Sequence, residues 1–386
     1  MKRLFVLIFV GLLGRPSVAQ TQKGQSITSG NVNLSFDRGH LDSDKRVSYS
    51  AGFLINRGRF VRDNWLLGGT LGFSYGQTTY DNSNSSTSLK STANSVSAGI
   101  FLRRYWPILD RLYVYAGGGL GSYQFKSNYT NNVTFGTSIR ESSGASSNWQ
   151  LNATGQLGAL YTLTNRIAIE MGISNEFPTG LYNANFGVAI LAGNKSTSIP
   201  VLPDFEAPQT RKGRWLLGVS ANVTGTSTSQ VNDERISSVQ SSATTGVSAG
   251  NFVKDNLIAG VAINYSANRL GDADAPGAVN YSLAAVPFVR SYRGASRLRP
   301  FVEGRGEYGI IKSETNTVVG TRYVGAGISA GLAYMASERF IIQTTLGSLD
   351  GRYTWYPSAG GSEVYSNYTI NATATTLSNI SVAYSL

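Results

Sequence analysis

Apolar residues recur at every second position over stretches of roughly ten residues throughout this chain, a period that suits strands and excludes amphipathic helices. Trp65, Leu67, Leu71, Phe73 and Tyr75 alternate with Leu66, Gly68, Thr70, Gly72 and Ser74. Val96, Ala98, Ile100 and Leu102 alternate with Ser95, Ser97, Gly99, Phe101 and Arg103, and Ile167, Ile169, Met171 and Ile173 with Ala168, Glu170, Gly172 and Ser174. The same pattern holds in Leu151–Tyr161, in Trp215, Leu217, Val219, Ala221 and Val223, and in the closing Ile380, Val382, Tyr384 and Leu386. The second face is mostly Gly, Ser, Thr and Asn. Such residues would serve poorly as a water-facing surface but fit the inside of a narrow cylinder. The fold expected is therefore all-β, a transmembrane antiparallel β-barrel rather than a soluble sandwich.

Two further features agree with that choice. Short connections at Pro107–Asp110 and Leu163–Asn165 alternate with long Ser/Thr/Asn-rich ones, read as outer loops, at 81–90 and 126–148. Trp65, Trp106 and Trp215 fall at strand ends on the short-turn side, where an interfacial aromatic belt belongs.

The chain also repeats itself. Gln20-Thr21-Gln22-Lys23-Gly24 returns as Gln209-Thr210-Arg211-Lys212-Gly213, and Gly58-Arg59-Phe60-Val61-Arg62-Asp63-Asn64 as Gly250-Asn251-Phe252-Val253-Lys254-Asp255-Asn256. Phe101-Leu102-Arg103-Arg104-Tyr105 returns as Phe288-Val289-Arg290-Ser291-Tyr292, and Tyr161 and Arg166 as Tyr334 and Arg339. The offset moves from 189 at Gln20 to 192 at Phe60, 187 at Phe101 and 173 at Tyr161, each jump spanning one long connection. Length change confined to one side of a sheet is what spans and turns fixed by a bilayer would produce.

Met1-Lys2-Arg3, the apolar run Leu4–Gly14 and the small residues Ser17-Val18-Ala19 read as a secretory signal cut after Ala19. Arg15 and Pro16 end the run too early for a membrane-spanning helix, which needs about 20 apolar residues. Loss of residues 1–19 removes Lys2, Arg3 and Arg15 and lowers the net charge from +11 to +8. The remaining bases are scattered, without the cluster or helix that nucleic acid would require, so no nucleic-acid partner is expected. Phosphorylated outer-surface lipid is the more natural counter-charge. With no cysteine, neither disulfides nor Cys-ligated zinc contribute.

The organisation expected is a signal peptide at 1–19, a first barrel repeat at 20–193, a Pro-rich polar linker at 194–212 and a second repeat at 213–386. Two tandem eight-stranded barrels are favoured over one sixteen-stranded barrel, because inward residues are small and inward charges few and of both signs: Arg103 and Glu170, then Arg290, Glu303, Arg305 and Glu307. The linker carries Pro200, Pro203 and Pro208 where a continuous barrel needs only a short turn. Pro287 falls inside an expected span, which calls for a bulge or a register change there.

No catalytic, cofactor or metal residues are expected. His40 is the sole histidine, with no nucleophile or orienting acid tied to it by sequence. Gly117-Gly118-Gly119-Leu120-Gly121 lacks the Lys-Ser/Thr of a phosphate loop, and Asp272-Ala273-Asp274 is too sparse for calcium. Tyr353, Trp355, Tyr356, Tyr365 and Tyr368, read as a last outer loop over 351–369, suit either glycan or protein contact or an outer aromatic belt.

These residues together resemble the small outer-membrane β-barrel domains of the OmpA/OmpX type. The resemblance rests on the leader, eight countable strands per repeat, Phe-x-Arg-x-Tyr near the end of the fourth, and Pro300-Phe301-Val302-Glu303-Gly304 opening the fifth. The first repeat departs from it with Tyr113-Val114-Tyr115-Ala116-Gly117 at the latter place. The resemblance implies a non-enzymatic integral protein of a Gram-negative outer membrane, in contact with lipid and lipopolysaccharide and open to an extracellular glycan or protein ligand. A porin-like passive channel is the alternative, and a lipid-modifying enzyme a remote one.

Overall fold

Seventeen strands and no membrane-crossing helix make up the computed structural model, which describes residues 21–41, 44–82, 87–135, 138–163, 167–177, 181–193, 208–230, 236–272, 279–313, 321–356, 365–375 and 380–386. The leader at 1–19, most of the linker at 194–212, Ala273 and Asp274, and the His40 side chain lie outside the described residues. The first repeat supplies β1 (Ser26–Leu41), β2 (Asp44–Arg62), β3 (Trp65–Asn82), β4 (Thr87–Pro107), β5 (Leu112–Phe135), β6 (Ser138–Thr162), β7 (Ile167–Phe177) and β8 (Leu181–Ala192). The second supplies β9 (Trp215–Gln230), β10 (Ile236–Lys254), β11 (Leu257–Asp272), β12 (Val279–Tyr292), β13 (Leu298–Ser313), β14 (Thr321–Met335) and β15 (Phe340–Tyr356). Its last strand is split into β16 (Tyr365–Thr375) and β17 (Ile380–Ser385).

Among the described residues every ladder is antiparallel, and the alternation read from sequence is the alternation of the walls. Leu67, Leu71, Ile100, Leu102, Leu157 and Ile173 point outward and stay exposed, whereas Leu66, Phe101 and Ala168 point inward and are buried. An apolar outer surface over a buried inner one is the inverse of a water-soluble shell and the expected cross-section of a barrel in lipid. The fold is an all-β antiparallel barrel.

At the short-turn end each repeat closes on itself as an eight-stranded ring. β1 meets β8 through Ser26, Ile27 and Thr28 against Ala192, Leu191 and Ile190, and β17 meets β9 from Ile380↔Ala221 to Ser385↔Leu216. Toward the hairpin end the edges exchange partners. β1 pairs with β16 over Asn31↔Thr375 to His40↔Ser366, while β8 lies beside β9, whose first residues β17 has already taken. One seam, β1 against β16, thus joins the two rings into a single sheet. Eight-stranded closure occurs at the short-turn end, and the repeats are hydrogen-bonded to one another toward the hairpin end.

The repeated motifs build the same turn twice. Asn64 and Asn256 both adopt φ 64°, and the Gly24 and Gly213 N–H groups donate to Phe60 O and Phe252 O at 2.8 Å in each case. Asp63 accepts from the Lys23 N–H at 2.8 Å and Asp255 from the Lys212 N–H at 2.7 Å. A bulge before each turn, between Phe60 and Arg62 and between Phe252 and Lys254, completes the correspondence. The positive φ explains the recurrent Asn, one of the few residues that tolerate it.

Three sequence readings are corrected. The stretch 126–148 is not a loop: β5 and β6 stay paired from Leu112↔Tyr161 to Phe135↔Ser138, because Ser, Thr and Asn can complete a ladder as well as a loop. In the stretch 81–90, residues 81–82 and 87–90 are likewise paired strand. Pro287 causes neither bulge nor register change. The β12–β13 ladder lapses at Val286 and Pro287 and resumes in the same register at Phe288↔Arg305, with Gly306 facing the ring.

A polar chamber above two sealed floors

The two interiors begin alike at the short-turn end. In the first repeat Phe60, Leu66, Tyr105, Tyr113 and Leu160 are no more than 1% exposed and fill the bore. In the second, Phe252, Ile258, Tyr292, Phe301, Met335 and Ile341, all buried, fill it. Arg299 closes that floor from below, donating through Nη1 to Thr210 Oγ1 at 2.8 Å and to Asn256 Oδ1 at 2.7 Å.

Above each floor stands the arginine of the repeated Phe-x-Arg-x-Tyr motif. Arg103 Nη1 donates to Glu170 Oε1 at 2.8 Å and Nε to Gln156 Oε1 at 2.7 Å, while the Tyr115 hydroxyl donates to the same Glu170 oxygen at 2.8 Å. The guanidinium lies 4.8 Å from the Phe101 ring centre and 4.9 Å from that of Tyr115. Arg290 occupies the equivalent place, with Nε donating to Glu303 Oε2 at 2.8 Å and Nη1 to Gln343. The acid has moved around the bore. Glu170 stands on the seventh strand of its repeat, where the second repeat has Gln343, and Glu303 stands on the fifth, where the first has Gly117.

Beyond this level the interiors diverge. The second repeat holds a cavity of about 550 Å³, walled by Gly218, Ser220, Gly246, Ser248 and Asn264 on one side and by six charged side chains on the other. Arg305 Nη2 lies 2.7 Å from Asp350 Oδ1, with Nη1 3.8 Å from Glu303 Oε1, and Arg352 Nη2 lies 2.9 Å from Glu307 Oε2. The Tyr323 hydroxyl donates to Glu307 at 3.1 Å. Three arginines thus face three carboxylates, each charge has an opposite partner, and the chamber carries no net sign. It can solvate a polar or zwitterionic solute.

The inward set read from sequence stands as expected: Arg103 and Glu170 pair across the bore, and Arg290 and Glu303 are direct cross-strand neighbours. Arg305 and Glu307 also line the bore. Asp350 and Arg352 were not anticipated, the latter being read as an outer-loop residue. Both lie on β15, where the pairing skips Leu346 between Gly331↔Thr345 and Ala330↔Gly347. That extra residue inverts the phase of the alternation. Gln343 and Thr345 face inward before it, Ser348, Asp350 and Arg352 after it. A phase change in an otherwise regular alternation is the signal that could have exposed them.

The same strand corrects the aromatic loop. Tyr353, Trp355 and Tyr356 lie on β15 and Tyr365 and Tyr368 on β16; only 357–364 between them lies outside the described residues. Tyr353 sits opposite Tyr368 in the ladder, and its ring stacks on Trp355 with centres 5.9 Å apart. Among the described residues no group of His, Cys, Asp and Glu is placed to hold a metal ion.

Residues 5–189 match the model of a family described as outer membrane protein beta-barrel domain. No curated protein matches the chain. Among solved structures it is similar to the transport unit of the autotransporter AIDA-I from Escherichia coli, at 10% identity over 99% of this chain and 97% of that one, TM-score 0.26. It is also similar to the Pseudomonas putida toluene transporter TodX, at 10% identity over 97% and 93%, TM-score 0.32. The N-terminal β-barrel domain of Pseudomonas aeruginosa OprF gives 19% identity over 42% of this chain and 98% of that one, TM-score 0.22. At these scores none of the three bears on closure or function.

Proposed function

We propose that this protein is a non-enzymatic, non-conducting barrel of a Gram-negative outer membrane, arisen by tandem duplication of one eight-stranded domain. Its role on this reading is structural or surface-interacting. Residues 1–19 serve as a cleaved leader, 20–193 and 213–386 as the two repeats and 194–212 as the linker. The exposed apolar walls meet lipid and lipopolysaccharide, and a glycan or protein ligand would be met by the hairpin tips that replace the long loops expected from sequence. The observation that supports non-conduction most is the pair of sealed floors, where large side chains such as Tyr105 and Phe252, both fully buried, occlude the bore. An eight-stranded ring leaves room for side chains and little else.

Conductance of the refolded full chain in a planar bilayer tests this. No steady openings are expected, whereas long-lived, ohmic openings would replace this proposal with the second reading, a passive channel. That reading draws its support from the β1–β16 seam that joins the two repeats at the hairpin end and from the charged chamber beneath it.

A further inference from the structure

The outer wall of the first repeat carries a cluster that the fold does not require. Arg57, Arg59 and Arg62 of β2 are exposed, and Arg57 and Arg59 share the outward face with Ile55. Trp65 at the start of β3 is flanked in the ladder by Arg62 on one side and Arg104 of β4 on the other. The Arg104 guanidinium lies 4.9 Å from the Trp65 ring centre, and its Nε is buried with no hydrogen-bond partner. Trp106 follows two residues on along the same face.

No carboxylate pairs with any of the four arginines among the described residues, and the nearby Asp63 already accepts from the Lys23 N–H. Four unopposed positive charges therefore sit on a wall whose neighbouring outward residues, Ile55, Leu67, Ile100 and Leu102, are exposed and apolar.

The second repeat provides an internal control. It builds the same bulge and the same Asn turn with Ala249, Asn251, Lys254 and Leu257 at the places of Arg57, Arg59, Arg62 and Trp65, and with Ser291 at the place of Arg104. The backbone does not need these arginines, so their cause lies outside the chain.

A cation on a lipid-facing wall is costly unless it reaches an anionic group at the interface. Guanidinium forks bind phosphate through paired hydrogen bonds, and flanking tryptophans mark the level where headgroups lie. We propose that Arg57, Arg59, Arg62 and Arg104, with Trp65, form a binding site for the phosphate of an anionic phospholipid in the leaflet at the short-turn end, which outer-membrane barrels place toward the periplasm. The position on the wall, among apolar side chains rather than on the turn itself, favours a lipid over a soluble periplasmic polyanion.

The proposal rests on the outer-membrane reading above, and the test keeps the two apart. Full-length protein is reconstituted in phosphatidylcholine bilayers containing spin-labelled phosphatidylglycerol, and the selectivity for the labelled lipid at the protein surface is measured. The Arg59→Asn/Arg104→Ser variant introduces the residues the second repeat already tolerates on the same backbone. Selectivity is expected to fall by about fivefold for each arginine removed, while Lys254→Gln on the second repeat leaves most of it intact. Unchanged selectivity in the double variant, or an equal loss in Lys254→Gln, would overturn the site. So would an arginine-dependent binding of murein sacculi without lipid selectivity, which would assign the patch to a soluble polyanion. Failure of the wild-type chain to insert, read by the absence of a heat-dependent gel shift, would instead sink the membrane-barrel reading itself.

Discussion

Removing Arg103 should cost this protein more stability than removing any exposed base, and the arrangement around Glu170 sets the size of the effect. The side chains of Arg103 and Glu170 are 10% and 7% exposed, so neither charge can recover hydration when its partner goes. In Arg103→Ala the carboxylate keeps the Tyr115 hydroxyl as a donor but loses its counter-ion. Breaking a buried pair from one side typically costs 3–5 kcal/mol, and the surviving hydrogen bond argues for the lower end, about 3 kcal/mol. Glu170→Gln should cost less, because Arg103 retains Gln156 and the faces of Phe101 and Tyr115. Replacing both, as Arg103→Met/Glu170→Leu, should restore most of the loss, since an apolar pair of similar volume avoids two desolvation penalties. Urea unfolding of the protein in lipid vesicles, followed by tryptophan fluorescence, measures each midpoint and slope. Lys90→Ala, at an exposed position on β4, serves as the control and should stay within about 0.5 kcal/mol. If Arg103→Ala costs under about 1 kcal/mol, the bore is wet at this level and the sealed floor is wrong.

Two other outcomes are expected. A Cβ at Gly331 would lie 2.2 Å from Thr344 O and 2.5 Å from the Phe301 ring, whereas one at Gly304 meets nothing within 4 Å. Gly331→Ala should therefore destabilise by about 1–3 kcal/mol by overpacking while Gly304→Ala stays neutral or better, in the same urea assay. The natural chain has no cysteine, so Leu34→Cys/Ala372→Cys introduces the sole pair; facing one another across β1 and β16, they should form a disulfide on mild oxidation of the folded protein. Absence of that bond, with a disulfide forming in Thr28→Cys/Ile190→Cys, would mean that the repeats are separate barrels along their whole length.

Most of the wall was legible in the sequence because a barrel strand has one period and two environments. Leu66 and Leu67 are the same residue type with opposite fates, and the alternation alone assigns them, inward at 1% and outward at 48% exposure. The inward charges were legible for the same reason, and Arg290 and Glu303 could be paired by counting from the turn between their strands. Legibility ended where the phase broke. The extra residue at Leu346 turned Asp350 inward and carried Arg352 from an apparent loop into the chamber, and no composition signal marks a bulge. Strand ends were also misjudged, because residues such as Asn128, Asn131, Ser143 and Ser146 carry turn propensity yet pair across β5 and β6. Edge exchange at the hairpin end could not be read at all, since β1 offers the same alternating face to β8 or to β16.

That exchange follows from how bulk is distributed along the bore. At the floor, the inward positions hold Phe, Tyr, Leu and Arg in both repeats, and each cluster packs only if its ring is held to eight strands. Further along β2, β4 and β6 the inward positions become Ser50, Gly52, Ser95, Ser97, Gly99, Asn152 and Thr154, which cannot fill an eight-stranded bore. Backbone hydrogen bonds must still be satisfied in the bilayer, so an edge can change partner but cannot stay open. With little packing to hold the smaller ring, β1 can satisfy the same donors and acceptors on β16 as on β8. β8 ends and β9 begins at the short-turn end, where the rings are separate, so the join between the repeats does not hold β8, β9, β1 and β16 to one set of partners at the hairpin end.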